Sequence, residues 1–107
     1  TKGKRPVLGF GSGGVSGPAL LPVVALATWR VTQALPGVPV IGTGGIATAD
    51  HALQVIMAGA SLVALGTAGM ADPHAAERVV RGLERWCQKH GVARLADLRG
   101  TLQWPAP

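Results

Sequence analysis

Two short apolar runs, each passing through glycine into a helix-like segment, constrain this chain more than any other feature. They are Val38-Pro39-Val40-Ile41-Gly42-Thr43-Gly44-Gly45 and Ser61-Leu62-Val63-Ala64-Leu65-Gly66-Thr67. A β-rich run that leads through a turn into a helix is a strand–turn–helix unit, and consecutive units of this kind place their strands parallel in one sheet. Glycine at the turn lets the backbone approach a ligand closely, because no Cβ stands in the way. The helix that follows directs free N–H groups and the positive end of its dipole at the same point, which suits a phosphate. Two such turns on neighbouring strands predict a phosphate cradle.

The rest of the chain continues the same rhythm. Residues 6–10 read as a leading strand that runs into the glycine-rich loop Gly11-Ser12-Gly13-Gly14-Val15-Ser16-Gly17-Pro18. A helix is expected from about Pro22, which fits a first turn without loss of a hydrogen bond. Val24, Thr28, Val31 and Leu35 mark its buried stripe, and Pro36-Gly37 stops it. The second unit has its strand at residues 38–41 and a helix capped by Thr48, with Leu53, Ile56 and Met57 inward and Gly59 at the end. The third has its strand at residues 62–65 and a helix capped by Asp72 with Pro73 first, showing an apolar face of Val79, Val80, Leu83, Trp86 and Cys87 up to Gly91. Residues 92–102 suggest a short terminal helix, and residues 103–107 a loose tail. Three strands are too few to cover both edges of a parallel sheet. The pattern therefore reads as the end of a longer α/β fold rather than a self-contained domain.

Composition narrows the function classes. Ten Lys+Arg against five Asp+Glu give a formal charge of +5. Lys2, Lys4 and Arg5 cluster at the start, while Arg78, Arg81 and Arg85 interleave with Glu77 and Glu84, the i,i+4 pair Glu77 and Arg81 supporting a helix. No aromatic residues are interleaved with these cations as a base-stacking platform requires, so nucleic-acid binding is not expected. The single cysteine, Cys87, excludes an intrachain disulfide and fits a reducing compartment. The longest apolar stretch, residues 19–27, is broken by Pro22 and is shorter than the ~18 residues of a membrane span. A cytoplasmic location away from membranes is the expectation.

Gly42-Thr43-Gly44-Gly45-Ile46-Ala47 matches the dinucleotide fingerprint G-x-G-x-x-A between strand and helix. That fingerprint wants a carboxylate about 20 residues on to hold a ribose. Leu65-Gly66-Thr67 stands there instead, a second phosphate-type turn. A (β/α)8 barrel uses both turns, since the loops after its seventh and eighth strands commonly form a phosphate site at the C-terminal mouth. Any one of these glycines is equally well explained as a tight βα turn. The pair at the tops of adjacent strands is not.

Taken in order, Gly13-Gly14-Val15-Ser16-Gly17-Pro18-Ala19, Pro39-Val40-Ile41-Gly42-Thr43-Gly44-Gly45-Ile46, Ala58-Gly59-Ala60-Ser61 and Gly66-Thr67-Ala68 resemble the C-terminal part of dihydroorotate dehydrogenase, most closely its class 1B catalytic subunit. The resemblance runs over residues 6–102. It implies an FMN-dependent TIM barrel that oxidises dihydroorotate to orotate in de novo pyrimidine biosynthesis, with residues 1–107 as the C-terminal quarter to third of a single barrel domain. It implies an iron–sulfur and FAD electron-transfer subunit as partner and a homo-oligomer in the full-length form. By the same resemblance, Gly17 contacts the cofactor, and Gly44, Gly45, Gly66 and Thr67 bind its phosphate. A dihydropyrimidine dehydrogenase-like enzyme, another phosphate-binding barrel, and a truncated non-catalytic fragment remain as alternatives. An open strand edge and apolar inner helix faces predict self-association of such a fragment.

The resemblance also says what is missing. The family's cysteine base and its substrate-binding asparagines and flavin-contacting lysines belong upstream of these motifs, so no catalytic residue is assigned here and the chain alone is expected to be inactive. Cys87 shares a helix face with Leu83 and Trp86, where a buried, inert thiol is expected. His51, His74 and His90 lie in different segments with no His or Cys partner at i+3 or i+4, which argues against a metal site. Trp29 and Trp86 are expected to pack on the outside of a barrel, and Ser16 either bonds a ligand or serves the turn.

Overall fold

The structure, a computed structural model, describes residues 3–105. A 3-10 turn at Pro18–Leu20 leads into α1 (Leu21–Ala34); β1 (Ile41–Thr43), α2 (Ala49–Ala58), β2 (Leu62–Ala64), α3 (Thr67–Ala71) and α4 (Ala75–His90) follow, and a last 3-10 turn spans Leu95–Leu98. β1 and β2 pair in parallel with Ile41 opposite Leu62 and Thr43 opposite Ala64. The expected βα alternation is present. The radius of gyration, 16.6 Å, exceeds the roughly 13 Å of a compact domain of this length.

Local chemistry explains where the elements begin and end. β1 starts three residues later than the apolar run, because Pro39 has no N–H to give to a ladder. The Val40 carbonyl already accepts from the Ser61 N–H at 2.8 Å. Thr48 caps α2 as expected, its side chain accepting from the His51 N–H at 3.2 Å. Gly59 closes that helix at φ +130 with its N–H on the Ile56 and Val55 carbonyls. Gly91 closes α4 in the left-handed region.

Several expectations need correction. Residues 6–10 form no strand: Gly11 N–H closes a turn on the Leu8 carbonyl at 2.9 Å, and Val7 and Phe10 are fully exposed. A lone extended segment has no ladder to join. The buried stripe of α1 is rotated from the predicted one. Leu21, Ala25 and Thr28 are buried, while Val31 and Leu35 are exposed. The small side chains win because α1 packs close: a Cβ on Gly59 would sit 2.5 Å from Thr32 Oγ1. Asp72 does not cap α4, whose N-cap is His74; it accepts the His74 N–H at 2.9 Å one turn earlier. Val80 is exposed, and Cys87 is half-buried rather than buried. Arg78 pairs with Asp72, and no Glu77–Arg81 pair forms among the described residues; Glu77 lies 3.8 Å from His74 Nδ1 instead. Gln103 to Pro105 have no regular secondary structure, yet Trp104 stacks on Trp29 with ring centroids 5.5 Å apart. Ala106 and Pro107 lie outside the described residues.

The core lies between the helices and one face of the two strands. Leu21, Ile46, Ala52, Leu53, Val55, Ala60, Val79 and Leu83 form it. Two glycines bring the layers together: a Cβ on Gly42 would fall 2.2 Å from Val55 Cγ1, and one on Gly82 2.5 Å from the Ala49 Cβ. The other face of the sheet is bare, with Ile41 61 % and Leu62 62 % exposed. Gly100 and Leu102 fasten the tail to the end of α2 through the Ile56 and Met57 carbonyls. No helix among the described residues is long and apolar enough to cross a membrane.

Candidate active-site cleft

Parallel strands present their C-terminal ends at one edge, and both strands here run out into a glycine turn at that edge. The two turns and the loop before α1 enclose a cleft of about 510 Å³, within the roughly 300–1,000 Å³ usual for small-molecule sites. Gly17, Gly44, Gly45, Gly66 and Thr67 all line it, and so does Ser16. Residues 50 positions apart in sequence thus share one concave surface. Its lining contains no charged side chain, so an anion there is met by backbone dipoles and hydroxyls.

The turn after β1 is held at three points. Gly44 and Gly45 take φ of +111 and +75. Gly45 rests directly on the start of α1, where a Cβ would stand 2.5 Å from the Leu21 nitrogen. Ile46 is 3 % exposed and anchors the turn in the core. The Ala47 N–H then donates to His51 Nδ1 at 3.2 Å. The turn after β2 is different. Gly66 and Gly17 have nothing within 4 Å of where a Cβ would be, so both leave open space beside the cleft. In α3 the first helical bond runs from the Met70 N–H to the Gly66 carbonyl at 3.1 Å. The N–H groups of Thr67, Ala68 and Gly69 precede it and have no partner within the helix.

Sequence reasoning missed further contributors, Thr43, Ala68 and Ala71 among them. Thr43 lines the cleft and donates its hydroxyl to the Ala64 carbonyl at 3.4 Å; its place at the end of the strand was the available signal. Ala68 and Ala71 reach the cleft from α3, a helix of five residues with a glycine inside, which periodicity does not detect. The three histidines are not brought together. His90 stacks on Trp86 at 4.1 Å, and among the described residues no group of three or more His, Cys, Asp or Glu is placed to hold a metal.

Asp72 follows Ala71 at the edge of the cleft, and its carboxyl is held below the ordinary aspartate range, chiefly by the His74 N–H, which desolvation opposes, with the Arg78 guanidinium adding to the lowering. A lowered native value means the ionised form stabilises the fold above the unfolded value and that this stabilisation is lost as pH falls through the native value. Asp72→Asn is therefore expected to unfold at lower urea than the wild type at neutral pH. The gap should close on acidification below about pH 4. Urea midpoints of both proteins between neutral and strongly acid pH check this; a gap independent of pH would show that the charge is not involved.

Two parallel βα units whose strand ends open on a glycine-lined cleft are the arrangement found at the C-terminal mouth of an α/β barrel. The sequence profile of the dihydroorotate dehydrogenase family matches residues 1–86. The chain is 48 % identical over 102 residues to the dihydroorotate dehydrogenase B (NAD(+)) catalytic subunit of Pelobacter propionicus, covering 95 % of this chain and 33 % of that one. It is 45 % identical over 100 residues to the subunit of the same name from Trichlorobacter lovleyi, covering 94 % and 33 %. Among solved structures, the dihydroorotate dehydrogenase of Eimeria tenella, crystallised with ferulenol, superposes with a TM-score of 0.78 at 30 % identity, over 84 % of this chain and 24 % of that one. The chain belongs to the dihydroorotate dehydrogenase family, and its βα units are a portion of that family's barrel. It spans about a third of the length of the curated relatives it matches. The family is flavin-dependent, and the relatives' name, a catalytic subunit, implies a further subunit beside them.

Proposed function

We propose that this chain is the FMN-binding C-terminal segment, residues 1–107, of a single-domain barrel that oxidises dihydroorotate to orotate in de novo pyrimidine biosynthesis. The observation that carries the reading is the convergence of Gly17, Gly44, Gly45, Gly66 and Thr67 on one cleft. The cleft also fits the group: Gly66 and Gly17 leave room that a side chain would fill, and three N–H groups at the start of α3 lack helical partners.

In this reading the N–H groups of Thr67, Ala68 and Gly69 and the Thr67 hydroxyl hold the FMN phosphate, the glycine turn after β1 closes on it from the other side, and Gly17 lets the loop before α1 approach the cofactor. The apolar lining, Ile46 and Leu20 among it, excludes water from the rest of the cleft. When bound, the flavin supplies the two-electron acceptor for the substrate. No residue of this chain is assigned the proton-abstracting role; Cys87 lies on α4 and does not line the cleft. A cytoplasmic enzyme working with an iron–sulfur and FAD electron-transfer subunit, and assembling as a homo-oligomer, completes the proposal.

Titrating the full chain with FMN and with riboflavin, followed by flavin fluorescence, tests it. Each hydrogen bond to a charged acceptor contributes about 1.5–3 kcal/mol, so loss of the phosphate, which takes more than one of them, should weaken binding by at least about a hundredfold. Equal affinity for both flavins would remove the phosphate cradle.

A further inference from the structure

Resting on the FMN reading above, we infer that His51 is a positioning residue for the phosphate turn, acting through the backbone of Ala47 rather than on the cofactor. His51 is the third residue of α2, where a helix N–H ordinarily lacks a partner. Its own N–H donates to Thr48 Oγ1 at 3.2 Å. Its ring reaches back past the cap, and Nδ1 accepts the Ala47 N–H, also at 3.2 Å. The Thr48 carbonyl in turn accepts from the Ala52 N–H at 3.1 Å. Backbone and side chain of one residue thus grip both ends of the Ala47–Thr48 step.

This step is part of the cleft wall, since Ala47 lines it together with Gly44, Gly45 and Ile46. The two glycines upstream are in the left-handed region, where nothing in their own side chains limits the backbone. The turn is fixed upstream by Gly45 against α1 and downstream by His51. Removing the second grip frees the Ala47 N–H and widens the range of positions that the Gly44 and Gly45 backbone can take. Acceptance at Nδ1 requires the ring proton on Nε2. A residue in a capping-box position usually reaches back to the cap itself; here it reaches one residue further, into the ligand-facing turn. Asp50, beside it, is engaged by the Gln54 side-chain amide at 3.0 Å and does not share in the grip.

Two substitutions separate positioning from helix capping. His51→Leu has no acceptor, whereas His51→Asn places an oxygen where Nδ1 stands. Under native conditions, in the full chain, FMN affinity should fall about fivefold for His51→Leu and stay within twofold of wild type for His51→Asn, a difference on the scale of one backbone hydrogen bond. The Ala47 amide should exchange faster in His51→Leu only, and the His51 ring should show an unprotonated Nδ1 by nitrogen NMR. Equal affinity for all three proteins, or equal losses in both variants, would overturn the inference, as would a protonated Nδ1 in the neutral ring. If wild type binds no FMN, the cofactor reading fails, while amide exchange and the ring tautomer still decide whether His51 holds the turn.

Discussion

Gly45→Ala is expected to cost about 2–4 kcal/mol of folding stability. The alanine Cβ would lie 2.5 Å from the Leu21 nitrogen, 2.9 Å from its Cα and 3.1 Å from the Leu20 carbonyl carbon. These are backbone atoms at the start of α1, so no rotamer change relieves the contact. Overpacking of this kind costs typically about 1–3 kcal/mol, and an L side chain at φ +75 adds roughly 1 kcal/mol. Against a total of about 5–15 kcal/mol for a small domain, such a loss takes up a large part of the stability. Urea unfolding followed by far-ultraviolet circular dichroism measures it; a shift below about 0.5 kcal/mol would mean that α1 does not rest on the turn. The same contact changes how Gly45 is to be read. A Gly45 variant that loses FMN would report the collapse of the turn against α1, not the removal of a cofactor contact.

The parts of this fold that sequence made legible are those whose cause is local. Thr48, Gly59 and Gly91 were read correctly because a cap is decided within one turn of helix. Gly44, Gly45 and Gly66 could be placed on one cleft because glycine at the end of a parallel strand is a local signature with a positional consequence, whereas Gly17, which no strand precedes, came from the family resemblance. Failures came where the cause lies elsewhere in space. Val31, Leu35 and Val80 fall at apolar helical positions, and Ile41 and Leu62 at apolar strand positions, yet all five are exposed. Periodicity records that a face is to be covered but not by what, and this chain spans a third of its relatives' length. The absent strand at residues 6–10 has the same origin, since strand propensity without a neighbouring ladder produces only a turn. The roles of Gly42 and Gly45 were opaque for another reason. Both are set by a distance to a residue far along the chain, Val55 in one case and Leu21 in the other, and no spacing rule encodes such a distance.

Gly66→Asp should leave the fold as stable as wild type and weaken FMN binding at least a hundredfold. Gly66 differs from Gly45 on both counts that matter: its φ of −102 lies outside the left-handed region, and nothing lies within 4 Å of its Cβ position. It is the N-cap of α3, a place where helices favour aspartate. Stability and binding should therefore separate, and that separation is the test. The carboxylate would enter the open space at the cleft edge beside the N–H groups of Thr67, Ala68 and Gly69, satisfying the donors that the phosphate otherwise takes and opposing its charge. Losing two charge-assisted hydrogen bonds of about 1.5–3 kcal/mol each corresponds to a factor of at least ~100 in Kd. Gly66→Asn, equal in size and neutral, should lose less, because only steric and hydrogen-bond competition remain. Thr67→Val keeps the backbone N–H and removes the hydroxyl, so a loss of roughly tenfold or more is expected, the worth of one hydrogen bond to a charged group. Unchanged FMN affinity in Gly66→Asp, with the urea midpoint also unchanged, would take the phosphate away from α3 and leave the cradle to the turn after β1.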